Sequence, residues 1–414
     1  MNIPLFTLLA VFILIAVRQV GRVRLHIWQI MSAGALFVLI MNDISLADAL
    51  SAINMDVMIF LFAMFVIGHA LEESGYLSHL SYEYFKRART MDSLLVMVIG
   101  GAAFASALLM NDTLAVIGTP VMLLLARKHS MAPKLLLFAL MFAVTIGSVM
   151  SPIGNPQNLL IALNGRIDNP FLTFLAWLFV PTVVNLAVLF GLLKLIYRGD
   201  FHEAVLKHSQ EPIRDHELAV LSKLSLQLLV LLVLVQTGLS TAGIKAEFRL
   251  THIAVASCLP VLVGSSQRLR LLRRIDWPTL AFFAAMFVLM ESVWRSGFVQ
   301  QVLESVDGSL SSDAMIFGTS VVLSQFISNV PLVALYQPLL LASGAMTPQL
   351  MALAAGSTIA GNLTILGAAS NVIVLQGAER RSKERIGFVE FLTIGFPLTV
   401  VNVAVYWLFL LMMR

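Results

Sequence analysis

Long apolar runs decide what this chain can become. They cover roughly residues 3–17, 27–42, 57–71, 93–126, 134–163, 171–197, 224–240, 251–265, 277–294, 314–342, 349–378 and 389–413. A helix crossing the ~30 Å hydrocarbon core needs about 20 apolar residues, so the runs read as membrane helices. Composition closes off the soluble alternative. Hydrophobic residues make up 59% of the 414 and charged residues 12%, against roughly 25% charged in a globular protein. The net charge of +4 comes from short clusters between apolar runs, which excludes disorder, collagen and nucleic-acid binding. A lone cysteine, Cys258, leaves no disulfide within the chain and no Cys-based metal site.

Orientation follows from Lys and Arg. The first run has its arginines after it rather than before it, the reverse of a cleavable signal peptide, so it reads as a retained helix with its N-terminus outside. The inner loops then collect Arg18, Arg22, Arg24, Lys86, Arg87, Arg89, Arg127, Lys128 and Lys134. They also collect Lys194, Arg198, Lys207, Arg214, Lys223, Arg268, Arg270, Arg273, Arg274, Arg380, Arg381, Lys383 and Arg385. That is 22 of 27 basic residues inside, with Arg166, Lys245, Arg249, Arg295 and Arg414 outside. The split requires 93–126 and 314–342 each to return to the side they entered. Two arms of the first segment would be about 25 Å each and of the second about 22 Å, both short of a crossing. Each turn is one polar cluster, Met110-Asn111-Asp112-Thr113 and Ser328-Asn329-Val330-Pro331. They read as re-entrant hairpins; two short spans joined outside the membrane are the alternative.

The chain also repeats itself. Met64-Phe65-Val66 followed by Ser74-Gly75-Tyr76 answers to Met286-Phe287-Val288 followed by Ser296-Gly297-Phe298. Asn111 and Pro120 answer to Asn329 and Pro338, and Ile153-Gly154 with Asn158 to Leu366-Gly367 with Asn371. The hairpins enter from opposite faces, so the repeats are inverted: 1–197 (hairpin 93–126, broken helix 134–163) and 223–414 (hairpin 314–342, broken helix 349–378). A cytoplasmic linker, 198–222, joins them. The expected fold is an all-α polytopic membrane protein of about 10 transmembrane helices plus two re-entrant hairpins. Two helices must be interrupted, because 134–163 carries Pro152 and Pro156 beside Gly147 and Gly154, and 349–378 carries Gly356, Gly361 and Gly367. Unwound backbone survives in a membrane only around a cavity or inside protein, where its amides and carbonyls become ligands.

At this point a resemblance emerges. "MNDTLAVIGTPVMLLLA" with "GSVMSPIGNPQNLL", then "SQFISNVPLVAL" with "GNLTILGAASNVIV", resembles the ion transporter superfamily over almost the whole chain. The wording is similar to its arsenite-permease and anion-permease branch, including citrate-transporter-like and NhaD-type sodium/proton antiporter members. The divalent anion:sodium symporters are more distant. The resemblance implies hairpin tips facing broken helices, substrate between them, elevator-like movement of a transport domain, and a homodimer. Carried over, Asn111, Asp112 and Thr113 sit at the first tip and Ser328 and Asn329 at the second. Ser148, Ser151, Gly154, Asn155 and Asn158 line the first break; Asn362, Thr364, Gly367, Ser370 and Asn371 line the second. The sodium symporters carry Ser-Asn-Thr at both tips, and this chain does not.

Asp112 is the one carboxylate at a tip. An acid in the membrane is a functional residue by default, and its competing role is to cap its own arm. His69 and Glu291 occupy equivalent repeat positions near helix ends and are further coupling candidates, with ordinary interfacial placement as the alternative. No nucleophile, metal-spaced or nucleotide-binding motif occurs, so the chain reads as no enzyme. It needs no cofactor and no bound metal, transient Na⁺ aside, and an ATPase partner is possible but not required. The expected function is secondary active transport of a small anion or oxyacid coupled to H⁺ or Na⁺, in the plasma (inner) membrane with both termini outside. A sodium/proton antiporter is the alternative; a channel or membrane-embedded enzyme is more remote.

Overall fold

A computed structural model of the chain describes residues 3–17, 19–20, 23–24, 27–129, 131–200, 213–241, 250–297, 312–327, 329–382 and 386–413. Helix dominates. In order these are α1 (Ile3–Val17), α2 (Ile27–Ile40), α3 (Leu46–Ala52), α4 (Met55–Glu73) and α5 (Tyr76–Phe85). Next come α6 (Met91–Leu108), α7 (Asn111–His129), α8 (Pro133–Ser148), α9 (Pro156–Asn164) and α10 (Pro170–Ile196). After the linker follow α11 (His216–Thr241), α12 (Leu250–Gly264), α13 (Arg268–Arg274) and α14 (Trp277–Arg295). The last are α15 (Asp313–Ile327), α16 (Asn329–Ala342), α17 (Thr347–Ile359), α18 (Ala369–Ser382) and α19 (Phe388–Met412). A small antiparallel ribbon, Gln19–Val20 with Val23–Arg24, joins α1 to α2 and has no counterpart in the sequence reading.

Among the described residues six helices are long and apolar enough to cross a membrane: α4, α6, α10, α14, α19 and the His216–Gln236 part of α11. A short helix, α5, follows α4, and α13 lies between α12 and α14. Apolar side chains line the outside of the long helices. Phe179, Val183 and Leu195 on α10 and Phe396, Val400 and Leu408 on α19 are all exposed, as a lipid-facing surface requires.

Two packed groups can be traced. In one, α4 lies against α11 and α12, and α2 against α1 and α14. In the other, α8 packs on α6, α7 and α10, while α17 packs on α15, α16 and α19. Contacts cross between chain halves in matching ways: α7 packs on α18, α16 on α9, and α10 on α19. At the middle sit α8, buried from Leu135 through Ser148, and α17, buried from Leu350 through Ile359. A helix apolar all round belongs in a core, and these two carry the interruptions.

Local chemistry explains two of the repeated sequence patterns. Ser74-Gly75 and Ser296-Gly297 end α4 and α14 in the same way. Each Ser N–H donates four residues back, to Ala70 and Ser292, and each Gly sits at positive φ, 73° and 75°. Only glycine enters that left-handed region without steric cost, so the helix stop dictates the residue. The second pattern is Thr-Val-Val-Asn, present at 182–185 and again at 399–402. It places Thr182 Oγ1 2.7 Å from Tyr406 Oη, and Asn402 Nδ2 donates to Asn185 Oδ1 at 2.9 Å, all buried between α10 and α19.

Candidate functional site

The first interruption begins where α8 stops at Ser148. Pro152 and Pro156 cannot donate backbone hydrogen bonds, and Asn155 then caps α9, its Oδ1 accepting from Asn158 N–H at 2.8 Å. The Asn158 amide holds the unwound stretch in place. Its Nδ2 donates to the carbonyls of Ser148 (3.0 Å), Val149 (3.2 Å) and Ser151 (3.0 Å). The second interruption runs from the end of α17 at Ile359 through single 3-10 turns, Ala360–Asn362 and Ile365–Gly367, to α18. There Asn371 Nδ2 donates to the carbonyls of Gly361 (2.8 Å) and Thr364 (3.4 Å). Each Asn therefore reaches the carbonyls ten and seven residues before it. The glycines fit the same design, since a Cβ on Gly154 would stand 2.6 Å from the Ser148 carbonyl oxygen. One on Gly367 would stand 2.8 Å from that of Ala360.

Both hairpin tips meet these breaks. The first turn consists of Leu109 and Met110, and Asn111 N–H donates to the Gly154 carbonyl at 3.0 Å. Asn111 and Asp112 thus belong to the first turn of α7 rather than to the connecting turn. Asn and Asp suit that position because they complement free N–H groups and the positive end of the helix. Asp112 is half-buried there. Asn329 opens α16, and its Nδ2 lies 3.6 Å from where a Cβ on Gly361 would stand. Ser328 and the side chain of Thr113 lie outside the described residues.

The breaks are tied to each other through Thr358, which the sequence reading did not select. Asn155 Nδ2 donates to Thr358 Oγ1 at 3.2 Å and to Ser148 Oγ at 3.1 Å, while Thr358 Oγ1 donates to Asn158 Oδ1 at 3.3 Å. Gln157 Nε2 reaches the same hydroxyl at 3.4 Å. Gln325, on the second hairpin, donates to the Ala360 carbonyl at 2.9 Å and accepts from Thr364 Oγ1 at 2.8 Å. A signal for Thr358 did exist, because Thr145 precedes it by the same offset that separates Asn158 from Asn371. Gln325 carried none, since Ala107 holds its repeat position.

What remains unpaired is as informative as what is bonded. Among the described residues, those buried and without a hydrogen-bond partner at the tips and breaks include Asn111 Oδ1, Asn329 Oδ1, Asn362 Oδ1 and Nδ2, Ser370 Oγ and Asn371 Oδ1. Left without a partner, each such group costs about 1–3 kcal/mol. Most are amide oxygens, acceptors by nature. No Lys or Arg falls within 106–113, 145–158, 324–331 or 356–371.

His69 and Glu291 take no part in this network. His69 lies 3.8 Å from Glu72 and 3.9 Å from Glu73, and Glu73 also pairs with Arg274. Glu291 accepts from Arg295 Nε at 2.7 Å, and Arg295 also meets Asp48 at 2.9 Å. The Ser45 hydroxyl, with Arg295 adding to it, holds the Asp48 carboxyl below its ordinary value. Both candidates thus sit in ion clusters at helix ends.

Residues 9–356 match the sequence profile described as citrate transporter. The chain belongs to the citrate transporter family. It is a membrane transporter, not an enzyme, and it is integral to a membrane. An uncharacterised transporter of Mycobacterium bovis is 28% identical, over 97% of this chain and 96% of that one. The silicon efflux transporter of Oryza sativa is 26% identical, over 97% and 94%. Among solved structures, the Alcanivorax borkumensis YdaH transporter superposes with a TM-score of 0.60 at 15% identity, covering 98% of this chain and 96% of that one. Neisseria gonorrhoeae MtrF, of a class of antimetabolite efflux pumps, superposes at 0.59 with 13% identity, covering 98% and 93%. Those two likenesses establish the fold.

Proposed function

We propose that this member of the citrate transporter family is a secondary active transporter of a neutral or weakly ionised oxyacid, or of its anion, coupled to H⁺ or Na⁺. The observation that carries the reading is the set of unpaired amide oxygens on Asn111, Asn329, Asn362 and Asn371. Acceptors without basic neighbours suit a ligand that brings its own donors, as an undissociated hydroxy acid does, or one that arrives with a cation. They do not suit a bare multivalent anion, which would need positive charge to replace its hydration. A silicon efflux transporter among the relatives points to the same class of substrate.

The same oxygens, with Asp112 beside Asn111, also suit a sodium ion, so sodium/proton antiport is the second reading. In either, Asp112 carries the coupling charge. The architecture that goes with this reading is two inverted repeats, 1–197 and 223–414, of five spans and one re-entrant hairpin each. It works as a homodimer in the plasma membrane, with both termini outside and the tips and breaks moving as one unit. The crossed packing of α7 on α18 and of α16 on α9 supports that symmetry.

The test is Asp112→Asn, which keeps volume and removes the charge. In proteoliposomes loaded with candidate oxyacids, arsenite, carboxylates or Na⁺, gradient-driven accumulation should be lost while substrate-for-substrate exchange survives. Accumulation with unchanged pH and Na⁺ dependence would reduce Asp112 to a cap on α7.

A further inference from the structure

The short helix α13 carries Arg268, Arg270, Arg273 and Arg274 within its seven residues, Arg268–Arg274. It connects two apolar helices, α12 and α14, and therefore lies at a membrane surface. At 100° per residue, Leu271 and Ile275 share the inward side, and both are buried. The opposite side presents Leu269, Arg270 and Arg273, all exposed, Leu269 at 68%. Arg274 points aside to Glu73 on α4. Arg268, Arg270 and Arg273 form no ion pair with a described carboxylate; Arg270 donates to Gln267 Oε1 at 3.3 Å. Asp215, the nearby acid of the linker, already accepts from Gln267 Nε2 at 2.6 Å. Glu217 is likewise taken up by Ser266, through its N–H at 2.9 Å and its hydroxyl at 3.1 Å.

The depth of this surface is marked by Trp277. It is half exposed, its Nε1–H donates to the Leu272 carbonyl at 2.8 Å, and its ring lies 6.1 Å from Phe62. A tryptophan with one wet edge and one apolar face belongs at headgroup level. Three guanidiniums without described carboxylate partners and an outward leucine lie within the seven residues of α13, and an interfacial tryptophan bonds back to it at Leu272. The tryptophan sets this surface at headgroup depth, where a phospholipid answers both features, phosphate to arginine and acyl chain to leucine.

We propose that α13 is a binding site for an anionic phospholipid headgroup, held by Arg268, Arg270 and Arg273. Because α13 and the loop before it are fastened to α4 through Arg274–Glu73 and to α11 through Ser266–Glu217, lipid bound there stiffens the junction of three helices. The site is independent of the substrate reading above.

The experiment compares the full-length protein with R268Q/R270Q/R273Q and R268K/R270K/R273K in zwitterionic detergent. Each is titrated with phosphatidylglycerol, with phosphatidylcholine, or with inorganic phosphate, and read by thermal melting and by native mass spectrometry. Phosphatidylglycerol should raise the parent's Tm by several degrees and appear as retained lipid, more weakly at high salt. The Lys variant should keep most of that response and the Gln variant should lose it, while both keep the parent's Tm in detergent alone. An equal shift with phosphatidylcholine, an unchanged response in the Gln variant, or a shift with phosphate matching that with lipid would each overturn the proposal.

Discussion

Replacing Asn158 by Ala removes the amide that holds the first break open. Its Nδ2 serves three carbonyls at 3.0, 3.2 and 3.0 Å. Two of these keep a second, longer bond: the Ser148 carbonyl from Ser151 N–H at 3.3 Å and the Ser151 carbonyl from Gly154 N–H at 3.4 Å. The Val149 carbonyl loses its side-chain donor outright, at about 1–3 kcal/mol, and the two weakened neighbours add about 0.5–1 kcal/mol each. The expected loss is therefore about 2–5 kcal/mol. Asn371→Ala should cost less, since its bond to Thr364 is already 3.4 Å and that carbonyl keeps Gly367 N–H at 3.0 Å. Asn158→Asp should be worse than Asn158→Ala, because it aims a carboxylate oxygen at three carbonyl oxygens. Equilibrium unfolding in mixed micelles with rising SDS, followed by circular dichroism, measures the order. The clamp is refuted if Asn158→Ala unfolds with the parent, or if Asn158→Asp is as stable as Asn158→Ala.

Gly395→Ala should abolish transport and lower the Tm, costing about 1–3 kcal/mol, since the new Cβ would stand 2.2 Å from the Asn362 carbonyl oxygen. Gly100→Ala is its control: nothing lies within 4 Å of that Cβ, so stability should stay level or rise by up to about 1 kcal/mol. In the α10–α19 seam, a double-mutant cycle of Asn185→Ala and Asn402→Ala should give a coupling of about 0.6–1.7 kcal/mol, and additive single effects would show that the pair does not interact.

The sequence by itself determined the helical membrane class, the two interruptions and the family, because each rests on a local property. Apolar length needs no partner to be read, and Pro152, Pro156 and the Ser-Gly helix stops act through their own backbone. The Asn158 and Asn371 clamps are almost as local, since each reaches back only seven to ten residues. Tertiary structure alone decided how the breaks are joined. Thr358 bonds to Asn155 across 203 positions, and Gln325 reaches the second break from a different helix, contacts that no local pattern encodes. It also moved Asn111 and Asp112 from the hairpin turn into the first turn of α7, since the end of a helix depends on what its free N–H groups find. Above all, which polar atoms stay unpaired among the described residues is decided by tertiary packing and by no local pattern. Four amide oxygens are left over at the tips and breaks for that reason, and on them the choice of substrate rests.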